Sequence, residues 1–111
     1  MKFACAMAAG LLAATLLATP AFADGDFSGT HDQVTLGSKV CFADHVHTGV
    51  RSAATIKVAT KTAINAWIYS AKFEYGKKWA SWNLAGGKFV NCTGGPGNYT
   101  CDVRATACRA K

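Results

Sequence analysis

The sequence predicts a small α+β domain in which a long amphipathic helix packs on a C-terminal two-stranded antiparallel β-hairpin, with disulfides stabilising the pair. Three observations predict it. Apolar residues recur at three- and four-residue steps from Ile56 to Trp82, two alternating segments flank a Gly/Pro-rich turn near the C-terminus, and four cysteines follow an N-terminal export segment.

The helix carries the strongest signal. Ile56, Ala59, Thr60, Ala63, Ile64, Trp67, Ala71, Tyr75, Trp79 and Trp82 fall on one helical stripe, while Lys57, Lys61, Asn65, Lys72 and Ser81 occupy the opposite side. Gly86-Gly87 supplies the stop. A helix running from Ile56 to Ala85 would be about 45 Å long, which is long for so small a domain and predicts a kink near Gly76 or a close backbone approach there.

Lys88 to Thr93 and Tyr99 to Ala105 alternate as strands do, and Gly94-Gly95-Pro96-Gly97-Asn98 between them is rich in turn formers. The hairpin face bearing Cys92, Cys101 and Val103 is expected to meet the aromatic stripe. A shorter extended segment is expected from Lys39 to His47, ended by Gly49.

Lys2, an apolar run from about Ala8 to Ala18, and Ala21-Phe22-Ala23 form the pattern of a cleavable signal peptide over residues 1–23. The run is shorter than the roughly 20 residues a bilayer span needs. Cys5 precedes the run instead of standing at the cleavage point, so no lipid anchor is expected either. Cleavage near Ala23 would leave 88 of the 111 residues, enough for one domain. A periplasmic or secreted location follows from this reading.

A core of that size is thin, and Cys41, Cys92, Cys101 and Cys108 are read as two disulfides with three possible connectivities. A four-residue loop would set Cys92 opposite Cys101, leaving Cys41 to reach Cys108. Zinc ribbons space their cysteines two to four residues apart, unlike these.

Charge divides the chain. Residues 24–38, rich in Gly, Asp, Ser and Thr, read as a flexible acidic arm, and residues 39–111 as the folded domain. From Arg51 onward ten basic residues face only Glu74 and Asp102. Such a body is suited to anionic partners of the cell envelope, namely lipopolysaccharide, anionic lipid or glycan. Lys72, Lys77 and Lys78, interleaved with the tryptophans, are the candidate anion contacts; nucleic acid is not expected.

Asp44-His45-Val46-His47 is the one metal-like group. Two histidines separated by one residue in an extended segment point the same way, and Asp44, or His31 with Asp32, would complete a shell. No cofactor beyond such a metal ion is expected. Ser28, Ser38, Ser52, Ser70 and Ser81 sit in no Gly-x-Ser-x-Gly elbow. Glu74, the only glutamate, reads as an intrahelical ion partner of Lys77 or Lys78. No catalytic constellation emerges, and an enzyme is not expected.

Asp44-His45-Val46-His47-Thr48-Gly49, Ala63-Ile64-Asn65-Ala66-Trp67, Glu74-Tyr75-Gly76 with Trp79, and Cys92, Cys101 and Ala107-Cys108-Arg109 together resemble small uncharacterised exported proteins of α-proteobacteria, rhizobial in type. The resemblance covers roughly two-thirds of the chain. Those proteins usually end in Ala-x-Pro-Cys-Arg, where this chain has Thr106-Ala107 before Cys108 and no proline. What the resemblance implies is a compartment, not an activity.

The reading that emerges is a non-catalytic exported binding module for an anionic envelope component. Its alternatives are a metal-binding protein built on His45 and His47, or a structural envelope protein with a protein partner.

Overall fold

Thr55 opens the α-helix of the domain: its hydroxyl accepts a hydrogen bond from the Val58 N–H at 3.2 Å, and α1 spans Ile56–Tyr75. These features come from a computed structural model that describes residues 31–111. The stretch read as a signal peptide, residues 1–23, and the first part of the stretch read as an acidic arm lie outside the described residues.

The helix is shorter than expected. Gly76 takes φ 98° and its N–H donates to the Lys72 carbonyl, so the chain leaves the helix there instead of kinking and continuing. At 20 residues α1 is about 30 Å long. A single 3-10 turn, Lys77–Trp79, follows. Trp79 and Trp82 therefore reach the core from the connection beyond the helix. Trp79 packs on Phe42 with ring centroids 4.2 Å apart, and Trp82 meets Trp67 edge to face at 5.2 Å.

The β-part is a four-stranded antiparallel sheet, not a two-stranded hairpin. Its strands are β1 (Gln33–Leu36), β2 (Lys39–Ala53), β3 (Gly86–Gly95) and β4 (Asn98–Ala110), in the spatial order β1-β2-β4-β3. Gln33–Leu36, within the stretch read as a flexible arm, pairs with β2 as an edge strand. The segment expected to stop at Gly49 continues to Ala53 because β4 offers it a partner along that whole length. The β3–β4 turn is tighter than expected, with only Pro96 and Gly97 between the paired Gly95 and Asn98.

The helix covers the centre of the sheet. Ala59, Ala63, Trp67, Ala71 and Tyr75, spaced four apart, are its buried residues. They meet Val103, Ala105 and Ala107 of β4 and Phe42 of β2. Small residues on both sides bring the layers close, and a Cβ on Gly49 would collide with the Ala63 carbonyl oxygen. Gly49 is thus a packing position, where the helix backbone lies directly on β2. The Trp67 indole N–H, fully buried, donates to the Ala105 carbonyl at 3.1 Å.

Both disulfides are formed, Cys41–Cys108 and Cys92–Cys101, each between residues that pair directly across strands. Their sequence separations are 67 and 9 residues. On chain-entropy grounds the first contributes about 4 kcal/mol and the second about 2.5 kcal/mol. Chemical denaturation of the two double-serine variants is expected to rank them in that order, Cys41→Ser/Cys108→Ser being the weaker. Equal losses would contradict the ranking. Such bridges fit an oxidising compartment. No helix among the described residues is long and apolar enough to cross a membrane.

Candidate metal centre

The register of β2 on β4 breaks at one place. Between the pairs Cys41↔Cys108 and Val46↔Thr106, the residues Phe42, Ala43, Asp44 and His45 of β2 stand opposite Ala107 alone. The Ala43 N–H donates across to the Asp32 carbonyl at 2.9 Å, which draws the chain before β1 against this bulge. Beyond it the alternation resumes: His47 and Gly49 are buried toward α1, while Val46 and Val50 face out. His45 and His47 accordingly share a side, as the His-x-His spacing predicts.

What they meet is the last turn of α1. Ser70 and Glu74 are four residues apart, one above the other on the helix surface. His47 uses both. Its Nδ1 lies 2.7 Å from the Ser70 hydroxyl and its Nε2 lies 2.8 Å from Glu74 Oε2. His45 Nε2 is 3.4 Å from the same carboxylate oxygen, and His31 Nε2 is 3.2 Å from the other one, Oε1. Glu74 therefore turns to the sheet instead of pairing along its helix with Lys77 or Lys78. Three imidazoles surround one carboxylate.

His31 joins this cluster, whereas Asp32 and Asp44, both exposed, do not supply ligand atoms to it. One ligand atom each from His45, His47 and Glu74 lies within 4.8 Å of the others. The floor is aromatic. Tyr75 stacks on Phe42 at 4.1 Å and stands edge to face against His31, His45 and His47 at 5.5, 6.2 and 5.0 Å.

Two buried polar atoms here lack a hydrogen bond, His47 Nε2 and the Tyr75 hydroxyl. Glu74 Oε2 is nonetheless 2.8 Å from His47 Nε2, an ion-pair contact, and the Glu74 carboxylate acts on both of these groups. Leaving such groups unsatisfied costs roughly 1–3 kcal/mol each. Burial holds the His47 imidazole below its usual pKa; Glu74 opposes the shift, and the neighbouring His45 and His31 add to it. Burial, then the charges of Glu74 and Asp44, push the Tyr75 phenol above its usual value.

A neutral, buried imidazole next to a carboxylate is the form in which both serve as metal ligands. Tetrahedral zinc with bonds of 2.0–2.1 Å keeps neighbouring donor atoms about 3.3 Å apart. The 2.8 and 3.4 Å separations about Oε2 bracket that spacing while the set as a whole spreads to 4.8 Å, so the two imidazoles would have to draw together around an ion. With every cysteine of the domain in a disulfide, the donor set is nitrogen and oxygen alone, suited to zinc, copper(II) or nickel. The Ser70 hydroxyl at Nδ1 orients the His47 ring, as outer partners of ligating histidines do.

The lowered His47 pKa has a consequence for stability. Because the folded protein binds fewer protons at this site than the unfolded chain, the stabilisation is fully present above the unfolded pKa of about 6.5 and is lost as pH falls through the folded value. In chelator-treated protein Tm is expected to hold between about pH 8 and 7 and to fall below about 6.5. His47→Gln should flatten that decline; a Tm that rises on acidification would contradict the assignment.

The proposed anion contacts divide between two surface hollows. Lys77 and Lys78 join Arg109, Gln33, Tyr75 and Trp79 around a cleft of about 650 Å³, with the Arg109 guanidinium 5.3 Å from the Trp79 ring. Lys72 borders a smaller hollow of about 410 Å³ with Tyr69, Phe73 and Lys77. Arg109 was not marked by the sequence, since only the folding of β4 beside the 3-10 turn brings it to the lysines.

No protein-family model, curated protein or solved structure matches this chain.

Proposed function

We propose that this protein is a small exported, disulfide-stabilised protein that binds a divalent transition-metal ion of the zinc or copper class through His45, His47 and Glu74. The observation that carries the reading is the convergence of the buried His47, with Nε2 at 2.8 Å, and of His45, with Nε2 at 3.4 Å, on the one oxygen Glu74 Oε2. His31, on Oε1, orients the carboxylate through its other oxygen. Such outer contacts are worth about 10–100-fold in metal affinity, and His31→Ala is expected to lose that much.

Titration of zinc and copper into the protein, beside a His45→Ala/His47→Ala double variant, tests the reading. One tightly bound equivalent in the parent and none in the variant is expected. Equal weak uptake by both would dismiss it.

A second reading rests on the cationic cleft. Lys77, Lys78 and Arg109 converge there beside Trp79, which favours an anionic envelope component such as lipopolysaccharide, anionic lipid or glycan as partner. Retention on lipopolysaccharide or anionic vesicles at low salt, weakened by added salt and by Lys77→Ala/Lys78→Ala, is the expected result. No retention on either at low salt counts against it.

A further inference from the structure

We propose that the ion held by His45, His47 and Glu74 keeps one coordination position for an exchangeable hydroxide or small anion, and that the Tyr75 hydroxyl donates a hydrogen bond to whatever occupies it. This inference rests on the metal-binding reading above. It adds a fourth, non-protein ligand and a residue that selects for it.

The argument begins with the ligand count. Two imidazole nitrogens and one carboxylate oxygen are three donors, and zinc sites with three protein ligands hold water or substrate in the fourth place. His31 is the obvious rival for that place. Its ring stands 4.9 Å from that of His45, but its Nε2 lies 3.2 Å from Oε1 and not on Oε2, the oxygen that His45 and His47 approach. There it occupies the second oxygen, which favours one-point binding of Glu74 through Oε2.

Tyr75 is the second, independent observation. Its hydroxyl is buried and without a hydrogen-bond partner, and its ring contacts all three imidazoles and stacks on Phe42, so the side chain is fixed in place. A phenol is a hydrogen-bond donor. A buried donor without an aligned partner is costly, and the acceptor that acts on this one is Glu74, itself a proposed ligand of the ion. An anionic ligand on the ion would satisfy it. The approach is favourable for anions too, since Tyr75 also forms a wall of the cleft bearing Lys77, Lys78 and Arg109.

The test uses cobalt(II), whose visible spectrum reports its ligands, and azide as the small anion. Cobalt-loaded protein is expected to change its spectrum saturably with azide. Tyr75→Phe, which keeps the ring and its packing, should retain cobalt about as tightly yet bind azide at least about tenfold more weakly, as befits loss of a hydrogen bond to a charged group. Three outcomes overturn the inference while leaving metal binding intact: no spectral change with azide, equal azide affinity in parent and Tyr75→Phe, or a change seen only in His31→Ala, which would give the position to His31. Failure to retain cobalt at all removes the metal-binding reading and this inference with it.

Discussion

Gly49→Ala is expected to destabilise the protein more than any other single methyl addition in the domain. The new Cβ would meet the Ala63 carbonyl oxygen and stand 2.8 Å from the Trp67 nitrogen, both backbone atoms of α1. Backbone cannot rotate away as a side chain can, so the whole helix must lift from β2. That separates Trp67 from Ala105, to which it is hydrogen-bonded, and loosens the row Ala59, Ala63 and Ala71. Overpacking ordinarily costs about 1–3 kcal/mol, and a clash with helix backbone belongs at or above the top of that range. For a domain this small each kcal/mol lowers Tm by about 4–8 °C, so a drop of at least about 15 °C is expected in thermal unfolding followed by circular dichroism. A drop of only a few degrees would mean that helix and strand are not in this intimate contact.

Glu74→Gln is expected to abolish tight metal binding while leaving the fold in place. The amide preserves the shape of the side chain but removes the one negative charge that, among the described residues, faces His31, His45 and His47 in ion-pair contact. Loss of an outer partner costs about 10–100-fold in affinity, and loss of a direct anionic ligand is expected to exceed about a hundredfold. Competition with a chromophoric chelator reads the affinity, and thermal unfolding in the same chelator reads the fold. Lys77→Ala and Lys78→Ala, by contrast, are expected to leave metal affinity nearly unchanged, because Glu74 makes its close contacts with histidines and not with these lysines. Retained affinity in Glu74→Gln would remove the carboxylate from the ligand set.

The contrast between those variants marks where the sequence could be read and where it could not. The His45–His47 pair was legible because strand alternation alone sets two such residues on one side, and the Cys92–Cys101 bridge because a hairpin register follows from its turn. The third member of the cluster was not. Glu74 is flanked in sequence by Lys72, Lys77 and Lys78, and local spacing argues for ion pairs along the helix; only the packing of α1 on β2 decides that it faces His47 instead. A signal was present in hindsight of the geometry: Ser70 and Glu74 lie one helical turn apart, next to the buried residues Ala71 and Tyr75.

The fold shows the same division between local and non-local information. The amphipathic stripe located α1, but its end depended on Gly76, whose positive φ turns a suspected kink into a stop. Trp79 and Trp82 fit the helical period and still lie outside the helix, since any segment that crosses the core must supply apolar residues. The edge strand β1 is exposed at all four positions, and the alternation of Val34 and Leu36 with Gln33 and Thr35 is too short to mark a strand; pairing to β2 holds it. The first part of β2, Lys39 to His47, was legible, whereas its continuation past Gly49 to Ala53 follows from pairing with β4.

The most direct measurement is the zinc K-edge absorption spectrum of protein loaded with one equivalent of zinc. The account predicts a shell of nitrogen and oxygen atoms at about 2.0 Å with the outer scattering of two imidazoles and no sulfur. A sulfur shell at about 2.3 Å, a fully hydrated ion without imidazole scattering, or zinc lost on simple dialysis would contradict it.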